Sequence, residues 1–164
     1  MLKKLGYATI ALVFIFMIIQ LVVYYPKLPS TLASHFNLKG DPDGWLSKSL
    51  FFCLYFVIQL SMVAAFVLFS RLSRKLPNTS FNIPNKEFWL RTDTKKAFFN
   101  LNDMTLIWIA ATTLIFIAFV MQIVIQSNVS QTSLNTGAML LSLVTYLFCL
   151  FGLMRLFYKT LKNC

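Results

Sequence analysis

Leu28 to Lys48 reads LPSTLASHFNLKGDPDGWLSK, a long polar stretch with dense turn chemistry set between two uncharged apolar runs. Before it, Tyr7 to Tyr25 runs YATIALVFIFMIIQLVVYY; after it, Ser49 to Ser70 runs SLFFCLYFVIQLSMVAAFVLFS. About 20 consecutive apolar residues are what a helix needs to cross the hydrocarbon core of a bilayer. The polar stretch is therefore a loop joining two membrane spans, and the remaining sequence extends the same plan.

Lys3 and Lys4 followed by an apolar run imitate a signal peptide. The run exceeds the roughly 7–15 residues of a signal core, and no small-x-small cleavage site follows, so it reads as a retained anchor helix. Tyr24 and Tyr25 suit an aromatic belt at its exit. Met104 to Ile125 forms a third span, with Asn102 or Asp103 available as its N-terminal cap. Gly137 to Tyr158 forms a fourth, closed by Arg155, Lys159 and Lys162, which can snorkel to the interface. Composition agrees: 58% of the 164 residues are hydrophobic, and the mean hydropathy is +0.71. The expected fold is all-α, an integral membrane four-helix bundle in a single domain. Its helices fall at about 7–25, 49–70, 104–125 and 137–158, with an ordered outer loop at 26–48 and a basic loop at 71–103.

The net charge of +10 is explained by topology. Twelve of the 15 lysines and arginines lie at the N-terminus, in the 71–103 loop and at the C-terminus; the other loops hold Lys27, Lys39 and Lys48. Lysine and arginine collect in short cytoplasmic loops, so both termini and the basic loop are expected in the cytoplasm, with Leu28–Lys48 facing outward. The bilayer, with some anionic-lipid contact, is the expected partner of this charge, and nucleic acid is not. Cys53, Cys149 and Cys164 have no zinc or redox spacing. The first two read as small buried hydrophobes and the third as a free thiol.

In the outer loop, Leu28-Pro29 and Pro26 disfavour helix, so the chain is expected to leave the membrane extended. Gly40-Asp41-Pro42-Asp43-Gly44 reads as a tight turn in which Gly44 supplies a positive φ, and Trp45 as an interfacial anchor. His35, Asn37, Asp41 and Asp43 are the residues that chemistry can use. Read functionally, they form a small outer site or a metal clamp. Read plainly, the aspartates are turn residues and His35 bonds backbone. One histidine and two carboxylates without helical spacing do not specify a metal site.

In the basic loop, Asn82 to Leu90 (NIPNKEFWL) packs an aromatic pair with both charge signs, and Asp93 to Leu101 (DTKKAFFNL) reads as an amphipathic turn entering the third span. Basic-aromatic interleaving beside a span suits interfacial anchoring; a docking segment for a cytoplasmic partner is the alternative. No charged residue or histidine falls in the middle of a span, which disfavours an ion-coupled transporter. Gln20, Gln59, Ser61, Thr112, Thr113, Gln122, Ser142, Thr145 and Tyr146 are suited to hydrogen bonding between helices. No catalytic motif is present. Asn78-Thr79-Ser80 and Asn128-Val129-Ser130 fit a glycosylation pattern.

Leu28-Pro29, His35-Phe36-Asn37, Gly40, Pro42-Asp43-Gly44-Trp45 and Ser47-Lys48 resemble the signature of the bacterial domain of unknown function 1648 family (DUF1648). The pattern favours Ile-Pro where this chain has Leu32-Ala33. Asn82 to Leu90 is similar to the NIPNKxYWL stretch that often accompanies this domain. The two motifs together extend over a little more than half of the chain. The resemblance implies a bacterial inner-membrane protein, distantly related to peptide-toxin immunity and signalling proteins. It hints at immunity or sensing; with no catalytic motif in the sequence, the expected protein is non-enzymatic, without a cofactor, and binds or senses a protein or peptide partner through the outer loop. The residues expected there are His35, Phe36, Asn37, Gly40, Asp43, Gly44 and Trp45. Asn82, Pro84, Asn85, Lys86, Phe88 and Trp89 form the cytoplasmic motif. The alternatives are a small transporter or channel subunit acting as a homo-oligomer, with Gln59 and Thr145 lining its path, and an outer-face metal-dependent enzyme using His35, Asp41 and Asp43.

Overall fold

The computed structural model describes residues 1–163, so Cys164 lies outside the described residues. Helix α1 spans Leu2–Tyr24 and ends in a single 3-10 turn at Tyr25–Lys27. Strands β1 (Thr31–Phe36) and β2 (Pro42–Ser47) form an antiparallel hairpin, and α2 (Lys48–Ser73) follows at once. A 3-10 turn at Asn78–Ser80 and the short α3 (Lys86–Trp89) lead to α4 (Lys95–Ser130) and α5 (Thr136–Lys162). Four of these helices are long and apolar enough to cross a membrane. The chain is a multi-pass membrane protein.

Helix α4 is the organising element and packs against α1, α2 and α5. Its 36 residues make it about 54 Å long at 1.5 Å per residue, well beyond the roughly 30 Å of a hydrocarbon core. It therefore projects from the membrane. Asp93–Leu101 is not a separate interfacial turn: from Lys95 onward it is the first part of α4. Phe98 and Phe99 are buried there against Phe81, so aromatic packing extends the helix past the apolar run. Asn102 and Asp103 consequently lie inside α4, and Thr94 occupies the N-cap position without a side-chain cap bond. At the other end α4 runs on to Ser130, beyond the Ile125 expected as the end of the third span.

One core lies between the hairpin and the middle of the bundle, built from Met17, Leu32, Phe51, Phe52, Tyr55, Leu114 and Ile125 among others. A second, at the end holding both termini, joins Trp89, Leu90, Phe98, Phe99 and Leu161. Gly6 lets α1 approach α4 closely: a Cβ there would sit 2.4 Å from Ile107 Cγ2.

Polar side chains tie the helices within this apolar frame. Gln20 donates to Gln122 Oε1 at 2.9 Å and to the Ala118 carbonyl at 3.3 Å, while Tyr55 donates to Gln20 Oε1 at 2.9 Å. Gln122 and Gln126 both donate to the Tyr24 hydroxyl at 3.0 Å. Tyr24 is thus a partner inside the bundle rather than a belt residue. Thr113 and Tyr146 join α4 to α5 at 3.0 Å. Ser61, Thr112, Ser142 and Thr145 instead bond carbonyls of their own helices. Cys53 and Cys149 are exposed on helix surfaces, contrary to the buried positions expected of them. A thiol facing lipid meets no polar solvent, so burial within the protein is not required of it.

Candidate functional site

The loop between the first two spans is a built object. After the 3-10 turn the chain becomes extended only at Leu28, because Pro26 can start a turn of helix but the residue before Pro29 is pushed out of it. The strands pair Thr31 with Ser47, Leu32 with Leu46 and Ala33 with Trp45, with an irregularity around Ser34 before His35 faces Gly44. Leu32 is fully buried and Leu46 packs on the same core. The hairpin is a strand pair within a chain expected to be all-α, small enough to leave the four-helix plan intact.

The turn is displaced from the expected Gly40–Gly44. It is closed by Gly40 N–H donating to the Asn37 carbonyl and Asn37 N–H donating to the Asp41 carbonyl, both at 2.9 Å. Asn37 Oδ1 also accepts from Lys39 N at 2.8 Å and from Asp41 N at 3.0 Å. Its short amide supplies backbone partners that the turn lacks. Gly40 has φ +89°, and a Cβ there would meet the Leu134 carbonyl oxygen at 2.6 Å. Gly40, not Gly44, supplies the positive φ. Gly44 is needed for closeness instead: its Cβ would lie 2.9 Å from His35 Cβ across the strands.

The hairpin is docked at the edge of β1 and at its turn. Asn128 of α4 accepts from Ala33 N–H at 2.7 Å and donates to the Ala33 carbonyl at 2.9 Å. Leu134 N–H, in the α4–α5 connector, donates to the Gly40 carbonyl at 2.8 Å, and Ser133 donates to Asp41 Oδ1 at 3.2 Å. Ser47 caps α2 by accepting from Leu50 N–H at 3.4 Å. Lys48 Nζ donates to the carbonyls of Tyr25 at 3.0 Å and Leu28 at 2.9 Å, satisfying the open end of the first helix. Phe36 packs on the core.

Residues 12–60 match the model of a family described as a domain of unknown function (DUF1648). The matched segment is the helix–hairpin–helix unit, from within α1 to within α2. No curated protein and no solved structure matches the chain. The geometry accounts for most of the DUF1648 signature in this chain: Asn37 and Gly40 make the turn, Gly44 admits the His35 strand, and Ser47 and Lys48 cap helices. Asn128 and Leu134, which hold the hairpin, lie outside the matched segment.

What the fold leaves facing outward is narrower. His35 Nδ1 pairs with Asp43 Oδ1, with side chains 75% and 45% exposed. Trp45 is 58% exposed, and Leu38, which the sequence did not single out, stands fully exposed at the tip. An apolar residue between Asn37 and Lys39 was the available signal for it. Asp41 turns aside to Ser133, so His35 and Asp43 form a pair and not a clamp with Asp41. Among the described residues no three His, Cys, Asp or Glu side chains converge.

The second motif is brought to the opposite end, where it grips α5 instead of lying along an interface. Asn85, in the left-handed region at φ +50°, donates to the carbonyls of Leu161 at 3.3 Å and Lys162 at 3.1 Å. Trp89 is buried and donates from Nε1 to the Leu161 carbonyl at 2.9 Å. Phe88 stacks edge-on against Trp89 and lies under Arg91, Lys86 donates to the Thr79 carbonyl at 3.4 Å, and Asn82 and Pro84 face α5 across a shallow groove. Gln59 and Thr145 are not brought together. Gln59 is fully buried against Leu114 of α4, while Thr145 is exposed on α5.

Proposed function

We propose that this chain is a non-enzymatic inner-membrane protein of bacteria whose hairpin receives a protein or peptide partner on the outer face. Both termini would then lie in the cytoplasm. The orientation rests on the twelve of 15 lysines and arginines at the end opposite the hairpin. The observation that carries the reading is the exposure of Trp45, at 58%, and of Leu38 on a hairpin pinned at the edge of β1 and at its turn. A surface ordered in advance loses little freedom on binding, and exposed aromatic anchors dominate binding energy in such surfaces. The His35–Asp43 pair beside Trp45 adds a polar contact that selects among partners.

A photoreactive residue in place of Trp45, and separately of Leu38, tests this in native membranes. A discrete protein adduct at either position, absent when the probe stands at buried Trp89, supports the reading. Lipid adducts alone at both positions would make the hairpin an interfacial anchor and overturn it.

A further inference from the structure

At the end holding both termini, α1 and α2 stand apart over α4 and enclose a cavity of about 310 Å³. Its rim is polar: Ser70, Arg71 and Arg74 come from α2 and Asp103 from α4. Its depth is apolar, lined by Ile10, Val63, Val67, Leu106 and Ala110. Ser70 to Val63, and Asp103 to Ala110, are each about two helical turns, or roughly 10 Å along the axis. Polar and apolar parts are therefore separated along the membrane normal.

The rim carries excess positive charge. Asp103 accepts from Ser70 at 2.7 Å and from Lys3 at 3.1 Å, and pairs with Arg74. Two guanidinium groups, Arg71 and Arg74, thus line the rim against one carboxylate, and Arg71 forms no ion pair among the described residues. We propose that this cavity binds an anionic phospholipid, with its phosphate at Arg71 and Arg74 and one acyl chain along Val63 and Val67. A free phosphate offers the same charge to the rim but leaves the apolar depth unmatched; an amphiphile matches both. Basic groups at a membrane boundary attract anionic headgroups, and a guanidinium can grip a phosphate with two parallel hydrogen bonds.

The full-length protein in a neutral detergent, titrated with phosphatidylglycerol, phosphatidylcholine or inorganic phosphate, is the test, read by native mass spectrometry and thermal unfolding. One phosphatidylglycerol per chain is expected, bound on the order of tenfold more tightly than phosphatidylcholine and weakening with salt. Arg71→Gln should lower that affinity about fivefold, whereas Lys96→Gln, which removes the same charge elsewhere, should leave it unchanged. Val67→Trp, made from a position already 41% exposed, should fill the cavity and displace the lipid while the protein stays folded. Equal affinity for both lipids, equal losses for Arg71→Gln and Lys96→Gln, or full stabilisation by inorganic phosphate alone would each overturn the proposal.

Discussion

Asn128 holds the backbone of Ala33 at both of its polar groups, accepting from the N–H at 2.7 Å and donating to the carbonyl at 2.9 Å. One amide on α4 thereby replaces a neighbouring strand at the edge of β1. Removing it leaves two backbone groups without partners in a buried site, a loss of about 1–3 kcal/mol for an orphaned group. Asn128→Ala is expected to lower stability by about 2–3 kcal/mol on that scale, and Asn128→Asp, which cannot donate, by no less. Thermal unfolding in detergent and hydrogen exchange at Ala33 check this.

Gly40 and Gly44 should respond differently to alanine. At Gly40 the new Cβ faces both a φ of +89° and the Leu134 carbonyl oxygen at 2.6 Å. Strain of this kind costs about 1–3 kcal/mol, and relief requires the tip to leave the α4–α5 connector. At Gly44 the obstacle is His35 Cβ at 2.9 Å, so relief requires the two strands to part locally, but no positive φ adds to the strain. Gly40→Ala should therefore lower the unfolding temperature more than Gly44→Ala and expose Leu134 N–H to exchange.

Trp89→Phe separates packing from hydrogen bonding at the other end. It keeps an aromatic ring among Phe98, Phe99 and Leu161 but loses the donor to the Leu161 carbonyl. A loss of about 1 kcal/mol is expected, as for an ordinary hydrogen bond. Trp89→Ala should cost about 3–5 kcal/mol through the cavity it leaves. A similar loss from both would mean that the bond and not the ring holds α5.

His35→Gln supplies the contrast. The His35–Asp43 pair is largely open to water, where such pairs contribute about 0–1 kcal/mol, so stability should be nearly unchanged. Partner crosslinking at Trp45 should fall if the pair contributes to recognition. A large drop in unfolding temperature would assign His35 to the fold instead.

The four spans were legible because each is a long uncharged run, and length with hydropathy suffices for a helix that meets lipid on most sides. The hairpin was hidden because Thr31–Phe36 lacks strict apolar-polar alternation, which the irregularity at Ser34 breaks. Its partners Asn128 and Leu134 lie about a hundred residues further along the chain. Asn128 itself showed only as part of a glycosylation pattern. The turn was misplaced because Pro42, Asp43 and Gly44 carry the stronger local signal, yet Asn37 closes the chain upon itself. Both motifs stood out in the sequence as unusual segments. Their roles were less visible, since Lys48, Asn85 and Trp89 act on carbonyls of distant helix ends and no spacing announces such a contact. The second motif thereby turned out to be an internal clamp.

Helix α5 carries the last consequence. Among the described residues of this helix only Leu161 is buried, yet its start follows the connector pinned to Gly40 and its end is gripped by Asn85 and Trp89. It behaves as a beam fixed at its two end supports, tied to α4 near its middle by Tyr146, and exposed along most of its other face. A bilayer thicker or thinner than the distance between those supports would bend the beam or pull on them. The joints at Leu134 and Leu161 would then feel membrane thickness before the apolar middle of the helix does.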